Sequence, residues 1–474
     1  MMRTQKKSGI VILILAGALL AGGAYAQEEE AGEDSLVLTL DEAIEIALSE
    51  NPSIKIADKE LEKVDYSRKE AWAGLIPSVT AEGNYSRNVK KPVMFLPEDS
   101  PFGGGGMGGG GDEGGGSNTI EIGYDNSYSS SLSASMPLFN MSLFRSIQMT
   151  EVEMKEALES ARESRVKMIN EVKKAYYNCL LANDSYHVVK RSLKNAEENF
   201  EDTKRMYEEG ASAEYDMIRS EVQVRNLEPS LTEAKNGRNM TALSLKILLG
   251  LDDEVPLKFE EDLKAFSDLI EKMPENPEDD ISNNSDMRQL EIQEKQLDEQ
   301  FKMTRAQRFP TVSAFLNYQF QTEANDMEFA NYEWVTPVVA GLRIQVPGFS
   351  GFSNRYQEKQ VEVNMEQLRY RREDTERQVN ASVINAYNSM EAAVRKVESG
   401  KAAVKQARRG YEIAKTRYET GSGTLLELND AEMALTQARL NLNEARFDFL
   451  SARAEYEKVL GENLPGQYMP DAEE

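Results

Sequence analysis

The sequence is short of the residues that most enzyme chemistry uses. Among 474 residues it has one cysteine, one histidine and two tryptophans. A lone thiol excludes a disulfide framework and thiolate zinc sites. A lone imidazole leaves little material for a metal centre, a Ser-His-Asp triad or a histidine general base. The reading is of a protein that is not an enzyme and carries no cofactor. Basic residues are scarce too: 55 Lys and Arg stand against 81 Asp and Glu, a net charge of −26. That balance argues against nucleic acid as a partner, because phosphate contacts need a basic face. Past the N-terminus no stretch is apolar enough for a transmembrane helix. Yet 40% apolar residues are too many for a disordered chain.

Arg3, Lys6 and Lys7 precede an apolar stretch from Ile10 to Leu20, and Ala24-Tyr25-Ala26 has the small-x-small form that a signal peptidase cleaves. Residues 1–26 are therefore read as a signal peptide, with Gln27 beginning the exported chain. The apolar stretch is well short of the roughly 20 residues that span a bilayer, and no cysteine follows it for lipid attachment.

What remains is one unit written twice. Tyr207 and Gly210 recur as Tyr418 and Gly421, and a long helical pattern after each ends in Leu249-Gly250 and Leu460-Gly461. Upstream, Met136-Pro-Leu-Phe139 answers Val346-Pro-Gly-Phe349, and Leu75-Ile-Pro-Ser78 answers Arg308-Phe-Pro-Thr311. The domain reading is a first repeat over 27–255, an acidic linker over 256–284, a second repeat over 285–464 and an acidic tail over 465–474. A glycine-rich insertion at 103–116 lengthens the first copy. It has no lysine after the glycines and no strand-to-helix context, so it reads as an external loop and not as a phosphate loop.

Each copy predicts a helix, two strands, a very long helix and a long helix. Met141 to Glu209 contains neither glycine nor proline, and a continuous helix of that length reaches about 100 Å. Asn354 to Thr420 is interrupted only by Gly400 and Gly410. In the returning helix Leu435, Ala438, Leu442, Ala445, Phe449, Ala452, Tyr456 and Val459 alternate by three and four, which is a coiled-coil seam. Long helical hairpins are expected over 140–250 and 351–461. His187 and Cys179, both inside the longest helix, read as structural residues.

Four segments alternate with period two: about 78–88, 127–137, 311–321 and 335–347. One side carries residues such as Val79, Leu132, Leu316 and Leu342, and the other is largely Ser, Thr, Asn, Gln, Glu or Arg. Such runs fit tilted strands of an outer-membrane barrel, and equally two hairpins of a soluble antiparallel sheet. Four strands cannot close a barrel, and hydrocarbon does not tolerate an open edge. Insertion therefore requires several chains in one barrel; two would give eight strands with a filled interior, and three would give twelve around a lumen.

The tandem repeat, the proline-flanked strand pairs and the Tyr-x-x-Gly turn in each copy together resemble the TolC family of outer-membrane efflux channels. The likeness covers essentially the whole exported chain, including Leu40-Asp-Glu-Ala-Ile44 and the Asp430-Ala-Glu432 stretch. It implies a mainly α protein with a small β part. Three such chains form a homotrimer, with a twelve-stranded barrel in the outer membrane of a diderm bacterium and a long α-helical coiled-coil tunnel in the periplasm. It further implies a passive duct, in contact with outer-membrane lipid, that joins a periplasmic adaptor (membrane fusion) protein and an inner-membrane efflux pump or ABC exporter. The rival reading keeps the helices but makes the chain a soluble periplasmic adaptor or scaffold.

The resemblance also locates a gate at the two hairpin turns, Tyr207 to Asp216 and Tyr418 to Asp430. An acidic residue of the first turn is expected to bond the tyrosine of the second, here Asp216 and Tyr418. Gly423 stands where an arginine is usual and Tyr215 replaces a small polar partner, so that part of the lock is expected to be absent or rebuilt. Glu427 and Asp430 fall at two acidic positions of the narrowest ring; their plainer reading is as helix-start acids favoured by the helix dipole. Adaptor docking is expected at the same tips, at Tyr207, Gly210, Ser212, Gly421, Ser422 and Gly423.

Overall fold

The computed structural model describes residues 36–95, 119–277 and 280–462. The segment read as a signal peptide, the glycine-rich insertion and the acidic tail lie outside them. In chain order the elements are β1 (Leu36–Leu38), α1 (Leu40–Glu50), α2 (Pro52–Ala73), β2 (Ser78–Arg87), β3 (Val93–Phe95), β4 (Thr119–Glu121), β5 (Asn126–Phe139), α3 (Met141–Glu208) and α4 (Glu214–Leu249). Then follow β6 (Leu257–Phe259), α5 (Ser267–Glu271), α6 (Ser285–Ala306), β7 (Thr311–Ala324), β8 (Val338–Gln345), α7 (Ser353–Glu419) and α8 (Leu425–Leu460). The repeat is visible in the lengths: α2 and α6 have 22 residues each, α3 and α7 have 68 and 67, and α4 and α8 have 36 each.

The long helices run because nothing breaks them. Asn140 caps α3, its side chain accepting from the Leu143 amide. Thr424 caps α8 in a reciprocal box with Glu427, satisfying amides that would otherwise be orphaned at the helix start. At the far end of each hairpin the chain reverses through Gly210 (φ 73°) and Gly421 (φ 70°), left-handed positions that glycine takes without steric cost. Gly400 does not interrupt α7. A Cβ there would lie 3.2 Å from the Leu442 side chain, so this glycine lets α7 and α8 approach closely.

The main core lies where the helical part is widest. There β1 pairs in parallel with β6, and α1 and the joint between repeats wrap around the middle of α3. Tyr176 is fully buried and its hydroxyl reaches both the Leu38 carbonyl and Glu261, each at 3.0 Å. The segment expected as a linker is thus folded: it contributes β6, α5 and the buried Leu263, with Phe266, Leu269 and Ile270 packed against the core. Apart from Glu261, its described acidic residues are exposed, and the apolar residues of this short layer are too few to show as a pattern. The α8 stripe includes five buried residues, Leu435, Leu442, Ala445, Phe449 and Tyr456.

Phe449 is the largest apolar side chain fully buried in α8. Phe449→Ala should cost about 3–5 kcal/mol, read as a lower unfolding midpoint by circular dichroism of the extracted protein, with Phe449→Leu milder.

Candidate functional site: an apolar sheet and two hairpin tips

β2, β5, β7 and β8 form one antiparallel sheet in that order. The register places Val79 opposite Ala134, Ala134 opposite Leu316 and Leu316 opposite Ala340. The apolar set of all four strands therefore shares one face, and no described residue covers it: Val79, Leu132, Leu316, Val338, Leu342 and Ile344 are all about half or more exposed. A continuous apolar face of this kind marks contact with lipid or another protein. The other face is polar; Ser133 donates to Asn317 at 2.8 Å, and Ser78 and Ser135 hydroxyls lie 3.0 Å apart.

Aromatic rings gather at both ends of the apolar face. At the end away from the helices Tyr85 stacks on Tyr128 at 4.9 Å, and Phe329 and Tyr332 of the β7–β8 connection lean on Tyr128. Trp334 stacks on Phe320 at 4.2 Å. At the helical end Phe349 and Phe352 meet edge to face. Two aromatic levels flanking an apolar band are the pattern of a strand set crossing a bilayer. No described helix is long and apolar enough to cross a membrane.

About 100 Å away, the hairpin tips bring the expected gate residues near one another, though not in the expected pairs. The Tyr418 hydroxyl meets Thr203 Oγ1 at 2.7 Å. Thr203 donates its own proton to the Asn199 carbonyl, so Tyr418 is the donor. Asp216 acts on Tyr418 only through its charge; burial first, and then Asp216 and Asp202, hold the phenol above its ordinary pKa against the opposing bond to Thr203. The partner of the tyrosine is thus Thr203 on α3, and not Asp216. The tyrosine is already committed within reach of a buried hydroxyl, whereas Asp216 lies in the first turn of α4.

The glycine at the expected arginine position has a steric reason. A Cβ on Gly423 would lie 2.9 Å from Arg417 Cβ. Arg417, at the end of α7, occupies that side of the turn: its guanidinium donates to the Ser422 carbonyl at 3.0 Å and pairs with Glu427 at 3.5 Å. A basic contact is therefore rebuilt inside the second tip. Glu427 closes the capping box of α8, its carboxylate accepting from the Thr424 amide; Asp430, one turn on, is exposed. Ser422 bonds the Arg417 carbonyl and Thr420, Ser212 is half-buried, and Tyr207, Gly210 and Gly421 are exposed. Sequence reasoning missed Thr203 and Arg417. Arg417 adjoins the Tyr418 that marked the turn, and nothing in the local pattern marked Thr203.

Elsewhere, Cys179 is buried and its thiol is pushed up to about 12 by burial. His187 is exposed; partial burial, and then Arg238, Lys190 and Arg191, keep its pKa low.

Residues 43–251 and 276–462, together most of the chain, match the family model described as outer membrane efflux protein. The chain belongs to that family. This efflux protein is 22% identical over 429 residues to the toluene efflux pump outer membrane protein TtgC of Pseudomonas putida, covering 89% of this chain and 82% of the relative. Its fold is similar to that of the Vibrio cholerae outer membrane protein VceC (TM-score 0.64, 16% identity, 89% of this chain and 96% of that one). It is also similar to the open state of the Neisseria gonorrhoeae MtrE outer membrane channel (TM-score 0.66, 19% identity, 93% and 97%). The efflux protein is accordingly an outer-membrane channel, mainly helical with a small sheet and a large periplasmic helical part.

Tyr418→Phe should loosen the joint between the hairpins by about 0.5–1.5 kcal/mol, read as faster protease cleavage at the tips. Thr203→Val should do the same, and the double variant should add little to either, as a shared bond requires. Asp216→Asn should leave cleavage near the parent rate.

Proposed function

We propose that three copies of the chain close one twelve-stranded barrel and conduct substrates passively from a periplasmic adaptor and an inner-membrane pump or exporter to the exterior. The observation that carries this reading is the four-stranded sheet with two free edges, β2 and β8. Alternation along the sheet makes β8 of one copy antiparallel to β2 of the next. Closure then leaves no backbone edge in hydrocarbon. Three copies give the smallest such ring with an aqueous lumen. A soluble scaffold would leave the apolar face and both edges without a partner.

In the trimer the six hairpin tips meet at the periplasmic end. Asp430 becomes a ring of three carboxylates, with Glu427 near it but tied to its own helix cap and to Arg417. Like charges at short range attract cations and accept a multivalent one as a plug. The small residues around Gly210–Ser212 and Gly421–Gly423 let a helical hairpin of the adaptor approach closely. On the same reading the chain is a first repeat over 27–255, a joint over 256–284 that belongs to the wide helical core, and a second repeat over 285–464.

The native mass of the complex extracted from carbonate-washed outer membranes tests the reading. Three copies are expected, and a monomer in the soluble periplasm overturns it. In planar bilayers Asp430→Ala should weaken block by a trivalent cation; undiminished block removes Asp430 from the constriction. Bulky replacements at Ser212 or Ser422 should abolish efflux while leaving the amount of trimer unchanged.

A further inference from the structure

The two free edges of the sheet are opposite in charge. On the polar face Glu82 is the only charged residue of edge strand β2, and Arg343 is the only one of edge strand β8. Their cross-strand neighbours within the chain are Ser131 and Ser313, so neither meets an opposite charge there. Both side chains are exposed. Arg343 is nevertheless held in place. The Phe315 ring lies across Gly341, where a Cβ would come within 3.1 Å of it, and the Arg343 guanidinium sits over the same ring at 5.4 Å from its centroid.

The strand lengths leave little freedom in how these edges join. β8 has 8 residues and β2 has 10. If every residue of β8 is matched in an antiparallel pair, Arg343 faces Thr80, Ala81 or Glu82 of the next copy. Ala81 is excluded, because that slip sets the polar face of one copy against the apolar face of the next. Thr80 and Glu82 remain. Within the chain Ser78, Ser135, Phe315 and Gly341 stand level. Pairing with Thr80 brings Gly341 level with Glu82 of the next copy, and pairing with Glu82 brings it level with Asn84. From the strand rise and spacing, these shifts correspond to tilts of about 35° and about 46°, at the two ends of the range for closed barrels. Packing decides between them. The Thr80 register sets Ala340 against Gly83 and leaves a gap in the apolar band. The Glu82 register sets Leu342 against Gly83, where nothing lies within 4 Å of an added Cβ, and Ala340 against Tyr85. Large residues then face small ones along the whole seam.

We infer that Arg343 of one copy and Glu82 of the next form a cross-strand ion pair on the polar side of each seam, and that these pairs fix the register in which the barrel closes. The inference rests on the reading that three copies share one barrel. Directly opposite residues bring their Cβ atoms to about 4.5–5.5 Å, within easy reach of a glutamate and an arginine. The pair faces water, so it adds little to stability by itself. Its weight lies in choice of register: a slip of two residues moves the carboxylate off the guanidinium, and a slip of one buries both charges against lipid.

The test uses the full chain in washed outer membranes. Glu82→Cys combined with Arg343→Cys should, on oxidation, link neighbouring copies into a covalent trimer that a reducing agent separates; Cys179 is buried and takes no part. Within one chain the two positions are three strand spacings apart, about 14 Å, which is beyond the reach of a disulfide. Thr80→Cys combined with Arg343→Cys should link far less. Glu82→Arg or Arg343→Glu alone sets like charges opposite each other and should lower the temperature at which the trimer dissociates by several degrees. The two exchanged together should restore most of that loss. A trimer that links through Thr80 in place of Glu82, that links through neither, or in which the exchange restores nothing overturns the inference and leaves the shared barrel standing. A native mass other than three copies for the unaltered chain overturns the shared barrel, and the seam with it.

Discussion

A β-strand cannot leave its backbone unpaired in hydrocarbon, and this constraint organises the whole molecule. Among the described residues one chain supplies four strands, with an apolar face left uncovered and two edges left unpaired. In the proposed barrel, neighbouring copies complete the sheet. Once copies share a barrel, each must send its helices away on the same side, and the matched helix lengths of the two repeats bring both hairpin tips of every chain to a common level.

The helical part separates two tasks by the chemistry of its contacts. Within each hairpin, apolar residues and small ones such as Gly400 make a tight, permanent coil. Between hairpins the apolar contacts are concentrated in the shared wide core, and polar ones are added to them: ion pairs beside that core and the Tyr418–Thr203 bond near the tips. Apolar contacts are non-directional and dry, and separating them is costly over any distance. Polar contacts can exchange with water, so a surface lined by them can open without exposing a core. A conduit that must be both rigid and openable needs the first kind inside its hairpins and the second kind between them.

Much of this was legible in the sequence. The absence of glycine and proline over some 70 residues announced α3, the period-two alternation announced the four strands of the sheet, and the shared spacing of Tyr207, Gly210, Tyr418 and Gly421 announced the repeat. That the acidic linker between repeats contributes to the core was not legible, because its few core residues, such as Leu263 and Phe266, are scattered among acids and have no period to detect. The partner of Tyr418 was also out of reach. Thr203 lies 215 residues away in sequence, and only the parallel descent of α3 and α7 to neighbouring tips brings them together. Arg417 was missed for a different reason: attention to the position expected to carry an arginine passed over the basic residue that fills the same space from the end of α7.

The two repeats join strand to helix differently. β5 ends at Phe139 and α3 begins at Met141, with only the capping Asn140 between, whereas β8 ends at Gln345 and α7 begins at Ser353, after seven intervening residues that include Gly348 and Gly351. A single-residue junction ties the direction of α3 to that of its strand, and a seven-residue one with two glycines does not tie α7 in the same way. The α3–α4 hairpin is therefore rooted directly in the sheet, and the α7–α8 hairpin hangs from it on a longer connection.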